Sequence, residues 1–192
     1  MTAQDRLFPI FLKLSGRIVL LVGGGTVAEG KLQALLESGA RVHVVSPKVT
    51  PAIEQMSVKI SRRKFIASDL DDAWLVVAAA TPEANQIVAS EAERRHIFVN
   101  AVDDVNSATA YLGGVTRRAG VTFAISTDGQ APALAGLLRE GLEAILPDSD
   151  LEAWVAEAAR LRQRWRSGLV SMSDRRPELL RALIKRYNDK RT

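Results

Sequence analysis

The sequence predicts an α/β fold in which a parallel sheet is covered by helices. Three observations carry this. Short aliphatic runs recur between residues 17 and 100, helix-like segments alternate with them, and the connections are short. After residue 100 the alternation stops, and two strand-like segments precede three helix-like ones. The chain therefore divides into an α/β unit over 1–112, a small α+β region over 113–147 and a helical region over 148–192.

The elements follow in order. Arg17–Val22 (RIVLLV) is an almost unbroken apolar run, as a strand buried on both faces requires. From Thr26 to Ser38 the apolar residues Val27, Leu32, Leu35 and Leu36 fall at helical spacing, and Gly39 closes that helix. Arg41–Val45 (RVHVV) is a second strand, stopped by Ser46-Pro47. Residues 51–56 fit a short helix, Val58–Arg62 a third strand and Trp74–Ala79 (WLVVAA) a fourth. Thr81-Pro82 reads as an N-cap with proline in the first helical position, opening a helix to about Arg95. Ile97–Asn100 (IFVN) is a fifth strand. Thr109–Thr116 and Val121–Ser126 are expected as strands, and Gln130–Leu146, Leu151–Ser167 and Asp174–Tyr187 as helices.

Composition narrows the chemistry. The 192 residues are 47% hydrophobic and 25% charged, the balance of a globular chain. No apolar run reaches the roughly 18 residues that span a bilayer. The start, MTAQDRLFPIFLKLSG, lacks the small-residue cleavage site of a signal peptide, so a cytoplasmic setting is expected. With no cysteine, disulfides, iron–sulfur clusters, thiol catalysis and Cys-based zinc sites are all excluded. His43 and His96 are too few for a histidine metal cage, and no stable metal site is expected. Charge is uneven: residues 151–192 hold 11 Lys/Arg against 5 Asp/Glu, whereas residues 1–150 hold 15 against 17. Such a basic segment suits an anionic partner or a solvated helix face.

The stretch LLVGGGTVAEGK at 20–31 fits G-x-G-x-x-A with Gly23, Gly25 and Ala28. Gly23 permits the strand-to-helix turn, Gly25 lets a pyrophosphate approach the backbone, and Ala28 lets the helix pack close to the strand. Thr26 and Val27 then offer helix N-terminal N–H groups to the phosphates. This predicts a Rossmann-like dinucleotide site. The second strand ends in Ser46-Pro47-Lys48 rather than in the acid that holds the ribose hydroxyls of NAD. Ser46 can bond a ribose and Lys48 can meet a phosphate, so NAD and NADP both stay open. Ala80, Thr81 and Asn100, at the ends of the fourth and fifth strands, complete the cofactor candidates. The cluster NAVDD (Asn100–Asp104) ends the fifth strand at the ligand-binding edge, where an acid can be a proton acceptor, a metal ligand or a turn residue. ISTDGQAP (Ile125–Pro132) is a polar strand-to-helix loop.

These clusters, in this order, resemble the precorrin-2 dehydrogenase / sirohydrochlorin ferrochelatase family, which includes the N-terminal module of siroheme synthase. The matching pieces are LFPIFLKLSGRIVLLVGGGTVAEGK, GARVHVVSP, FVNAVDD and FAISTDGQAPALAGLLREGLEAILP. The resemblance implies NAD-dependent oxidation of the tetrapyrrole precorrin-2 to sirohydrochlorin. In some members it also implies insertion of Fe(II), held transiently by the macrocycle's own nitrogens. It implies Asp103 as the catalytic carboxylate, and Ser126, Thr127 and Arg139 on the substrate. It further implies a homodimer built by the middle region, no nucleic-acid or membrane partner, and no fused methyltransferase module. The basic helices, with Arg117 and Arg118, suit a substrate with eight carboxylates. A non-catalytic NAD(H)-sensing regulatory module is the alternative.

Overall fold

Strands that are aliphatic on both sides can only be satisfied inside a sheet covered twice. The computed structural model, which describes residues 7–168 and 170–189, contains such a sheet. Its strands are β1 (Ile18–Val22), β2 (Arg41–Val45), β3 (Lys59–Ser61), β4 (Leu75–Ala78) and β5 (Phe98–Ala101). All pair in parallel in the order β3-β2-β1-β4-β5. Val22 is in register with both Val45 and Ala78, so the carboxyl ends line one edge. The strand order reverses between β1 and β4, which makes that point of the edge the ligand-binding crevice of such sheets.

Side-chain alternation along β1 feeds two apolar cores. Val19 and Leu21 pack with Leu32, Leu35 and Ile53 on one face. Leu20 and Val22 pack with Leu70, Val88 and Ala92 on the other. The covering helices are α1 (Thr26–Glu37), α2 (Pro51–Gln55) and α3 (Pro82–Arg94), with a 3₁₀ turn at Ala67–Leu70. The Thr50 and Thr81 side chains accept the N–H groups of Ile53 and Ala84, each ahead of a proline at the first helical position.

The chain separates into two compact units, Met1–Leu112 and Gly113–Thr192. The second holds an antiparallel hairpin, β6 (Gly114–Arg118) and β7 (Val121–Ile125), then α4 (Pro132–Ile145), α5 (Asp148–Ser167) and α6 (Met172–Asp189). Ala119 (φ 49) and Gly120 (φ 78) make the two-residue turn, both left-handed as a tight hairpin demands. Arg118 ties the hairpin to the α4–α5 corner. Its guanidinium donates to the carbonyls of Glu143 (2.7 Å) and Leu146 (3.2 Å) and to Asp148 Oδ1 (2.6 Å). The Trp165 indole donates to Glu178 Oε2 (2.6 Å), which fastens α5 to α6.

Several boundaries move. The strand expected over Thr109–Thr116 begins only at Gly114 and continues to Arg118. Thr109 and Ala110 instead donate their N–H groups to the Val99 carbonyl, and Thr109 Oγ1 accepts the Val99 N–H, which closes the open side of β5. The helix expected from Gln130 starts at Pro132, because Gln130 and Ala131 donate to the Thr127 carbonyl and hydroxyl. The last two helices begin earlier, at Asp148 and Met172. Among the described residues no helix is long and apolar enough to cross a membrane, and no group of three or more His, Cys, Asp or Glu could hold a metal ion.

Candidate functional site in the sheet crevice

The three glycines after β1 do different work. Gly23 has φ 128, and a Cβ there would lie 2.1 Å from the Ala79 carbonyl oxygen, so the turn is pressed against the end of β4. A Cβ on Gly24 would lie 2.1 Å from the Lys48 carbonyl oxygen, so the same turn is pressed against the loop after β2. Gly25, the N-cap of α1, has nothing within 4 Å of its Cβ position and faces open space. Close approach to a ligand is therefore possible at Gly25, while Gly24, a plain spacer in the motif, is fixed by packing. Ala28 is fully buried against the sheet. The N–H groups of Thr26, Val27 and Ala28 have no intrahelical acceptor and point their partial positive charge out of the helix end.

The loop after β2 is stitched to this turn. Ser46 is buried, and its hydroxyl donates to the Lys48 carbonyl at 2.6 Å. Thr50 donates its N–H to the Gly24 carbonyl (2.9 Å) and its hydroxyl to Glu29 in the first turn of α1 (2.9 Å). Ser46 thus shapes the loop with its proton, while Pro47 and Lys48 are exposed at its tip.

Beyond β4 and β5, a buried residue that the sequence reading missed organises the edge. Asn85 Oδ1 accepts the Ala80 N–H (2.9 Å) and its Nδ2 donates to the Val102 carbonyl (3.4 Å), joining the loops that carry Ala80-Thr81 and Asp103. Its signal was present: Asn85 is the one polar member of the buried α3 stripe with Val88, Ala89 and Ala92. Asn100 is buried and donates to the Ala110 carbonyl (2.9 Å), but its Oδ1 has no partner among the described residues.

The two aspartates after β5 differ. Asp104 Oδ1 accepts the Ser107 N–H at 3.1 Å, and the Ser107 hydrogen bonds hold its carboxyl below the usual carboxylate range. Asp103 is exposed, has a left-handed backbone (φ 58), and its carboxylate makes no hydrogen bond or ion pair with the described residues. The turn chemistry thus falls to Asp104 and leaves Asp103 free.

A dinucleotide fits this edge. Free helix N–H groups over the bare Gly25 suit a pyrophosphate, and the orphaned Asn100 oxygen is an acceptor awaiting a donor. Thr26–Ala28 would hold the phosphates and the 46–48 loop the adenosine ribose.

The candidates in the second unit are engaged locally. Ser126 Oγ accepts the Asp128 N–H (3.1 Å) and Thr127 Oγ1 the Ala131 N–H (3.2 Å), so both build the turn into α4. Arg139 pairs with Glu143 (2.9 Å) and Glu140 (3.1 Å). Arg160 pairs with Glu157, and Arg164 with Glu178. Arg162 and Arg166 are exposed and make no ion pair among the described residues.

Known proteins match this chain at three levels. "Siroheme synthase 3" of Aeromonas hydrophila is 41% identical over 173 residues, covering 88% of this chain and 37% of its own. "Siroheme synthase 2" of Cronobacter sakazakii is 42% identical over 173 residues, covering 88% and 38%. The chain thus spans little more than a third of the length of these relatives. The solved structure of "SirC, precorrin-2 dehydrogenase" superposes with a TM-score of 0.67 over 91% of this chain and 88% of that one, at 24% identity, which shows a shared fold. A family model described as "Putative NAD(P)-binding" matches residues 10–114, which hold the glycine turn, the 46–48 loop and both aspartates. The chain belongs to this NAD(P)-binding family.

Proposed function

We propose that this chain is a cytoplasmic NAD-dependent dehydrogenase that oxidises precorrin-2 to sirohydrochlorin, the macrocycle precursor of siroheme. One observation carries the chemistry: the free Asp103 carboxylate lies on the same sheet edge as the glycine turn. The names and identities of the siroheme synthases support the substrate.

Bound NAD supplies the hydride acceptor. Removing hydride from a ring carbon leaves a cation, which becomes the new double bond when it loses a proton. The Asp103 carboxylate accepts that proton and releases it to water. Asn85 holds the Val102 carbonyl and so fixes the backbone from which Asp103 projects. The same carboxylate serves metal insertion, in which Fe(II) enters as substrate and two pyrrole protons leave. The 113–147 region forms a homodimer. Its support is the row Leu134, Leu137, Leu138 and Ile145 left exposed on α4, together with the open edges of a two-stranded hairpin. Ser126, Thr127, Arg139 and the basic helices α5 and α6 bind the polycarboxylate.

The test is reduced-nicotinamide formation from precorrin-2 and NAD, in the natural chain and in two variants. Asp103→Asn should keep NAD binding and lose turnover by about 100-fold or more, the scale of a missing general base. Asp104→Asn should stay near normal. Full activity in Asp103→Asn removes the proposed base, and NAD binding without turnover in the natural chain would mark a sensing module instead.

A further inference from the structure

The ribose end of the crevice carries a lysine where an NAD-selective site carries an acid. NAD selectivity in this fold comes from a carboxylate at the end of β2, which bonds the ribose hydroxyls and repels a 2′-phosphate. Here β2 runs into Ser46, Pro47 and Lys48. The Ser46 hydroxyl is turned inward onto the Lys48 carbonyl. That bond, with the contact between the Lys48 carbonyl and Gly24, fixes the Lys48 backbone beside the phosphate turn. The Lys48 side chain is exposed and makes no hydrogen bond or ion pair among the described residues.

A further cation near in the chain, Arg62, is already paired. The Ser46 N–H donates to the Ser61 carbonyl at 3.1 Å, which brings the end of β3 alongside the loop, and Arg62 follows directly. Arg62 is half-exposed and paired with Glu54 on α2 at 2.7 Å. The other acid beside the loop, Glu29, is held by the Thr50 hydroxyl. The loop therefore offers the free Lys48 ammonium, while the Arg62 guanidinium is matched by Glu54.

We propose that this loop accepts a 2′-phosphate, with Lys48 as the cation that meets it, so that the chain binds NADP about as well as NAD. This rests on the crevice being the dinucleotide site. Lys48 supplies charge-assisted hydrogen bonds to the phosphate oxygens.

Calorimetry on the full chain tests it without any tetrapyrrole. NAD, NADP, AMP and adenosine 2′,5′-bisphosphate are titrated into the natural protein and into Lys48→Glu. In the natural protein the NADP Kd should be no more than about fivefold above that of NAD, and the bisphosphate should bind more tightly than AMP. Lys48→Glu should raise the ratio of the NADP Kd to the NAD Kd by about tenfold. A larger gap between NADP and NAD in the natural protein overturns the inference and leaves the NAD-dependent reading intact. Equal weakening of both in Lys48→Glu places Lys48 on the pyrophosphate and also overturns it. If neither dinucleotide binds, the dinucleotide reading of the crevice falls and the inference falls with it.

Discussion

The two units bury their apolar residues to very different degrees. In the first, Val19, Leu20, Leu21, Val76 and Val77 are all 0% exposed between two layers of helix. In the second, Leu137 and Ile145 on α4 are 65% and 72% exposed, and a two-stranded hairpin is the only sheet among the described residues there. A sheet covered twice completes its own core. A hairpin with one helix against it does not, and a two-stranded sheet alone is marginal in water. The first unit therefore has its ligand edge built by its own packing, whereas the second leaves an apolar helix face exposed.

The comparison breaks first at Gly23. Gly23→Val puts a branched side chain at a positive φ and onto the Ala79 carbonyl, so it should cost about 3 kcal/mol or more. Denaturant unfolding followed by circular dichroism should show the loss. An unchanged midpoint would mean that the turn relaxes and the first unit is less tightly determined than its packing indicates. The second largest effect is expected on the other side of the comparison. Leu137→Asp should turn a dimer into a monomer in light scattering while dinucleotide affinity stays within about twofold, because an exposed helix position contributes to assembly and not to the first unit's core. Loss of dinucleotide binding in that variant would show that the first unit depends on assembly.

A smaller effect is expected at Asn85. Asn85→Leu keeps the side-chain bulk but strands the Ala80 N–H and the Val102 carbonyl, at about 1–3 kcal/mol. Because both loops belong to the crevice, dinucleotide affinity should fall together with stability. A loss of stability alone would make Asn85 a core residue with no bearing on the site. The smallest effect concerns pH. Burial, with Lys59 nearby, pushes the His43 imidazole below its ordinary value of 6.5, and its Nε2 lies 2.9 Å from Ser61 Oγ. The unfolded chain takes up this proton at a higher pH than the folded one. The contribution is therefore fully present above 6.5 and is lost as pH falls through the folded value. The melting temperature should drop on acidification, and His43→Gln should flatten that drop. An equal drop in both proteins would assign it to other groups.

The parallel sheet was legible because its signals are local: aliphatic runs, prolines after threonine caps, and glycines at a strand end. What escaped was set by partners distant in sequence. Thr109 and Ala110 have strand-like composition, yet they turn to close the side of β5. The 3₁₀ turn at Ala67–Leu70 is too short to show a period, although it places the buried Leu70 in the core. In the crevice, the motif marked the strand-to-helix turn but not which neighbour each glycine abuts. The difference between Asp103 and Asp104 is written in one backbone angle and one bond to Ser107, neither of which adjacent identical residues can reveal. For Ser126, Thr127 and Arg139 the sequence offered residue types suited to a groove, but not the local hydrogen bonds that each also makes.

The stitching of the 46–50 loop to Gly24 has a consequence for how such a chain can change over time. Gly24 leaves no room for a side chain, and Thr50 bonds the Gly24 carbonyl from four residues past Ser46, so the loop has one permitted length. An insertion or deletion there would move the glycine turn and the 46–50 loop together. The outward side chain at position 48 can therefore be exchanged freely, while the number of residues around it stays frozen.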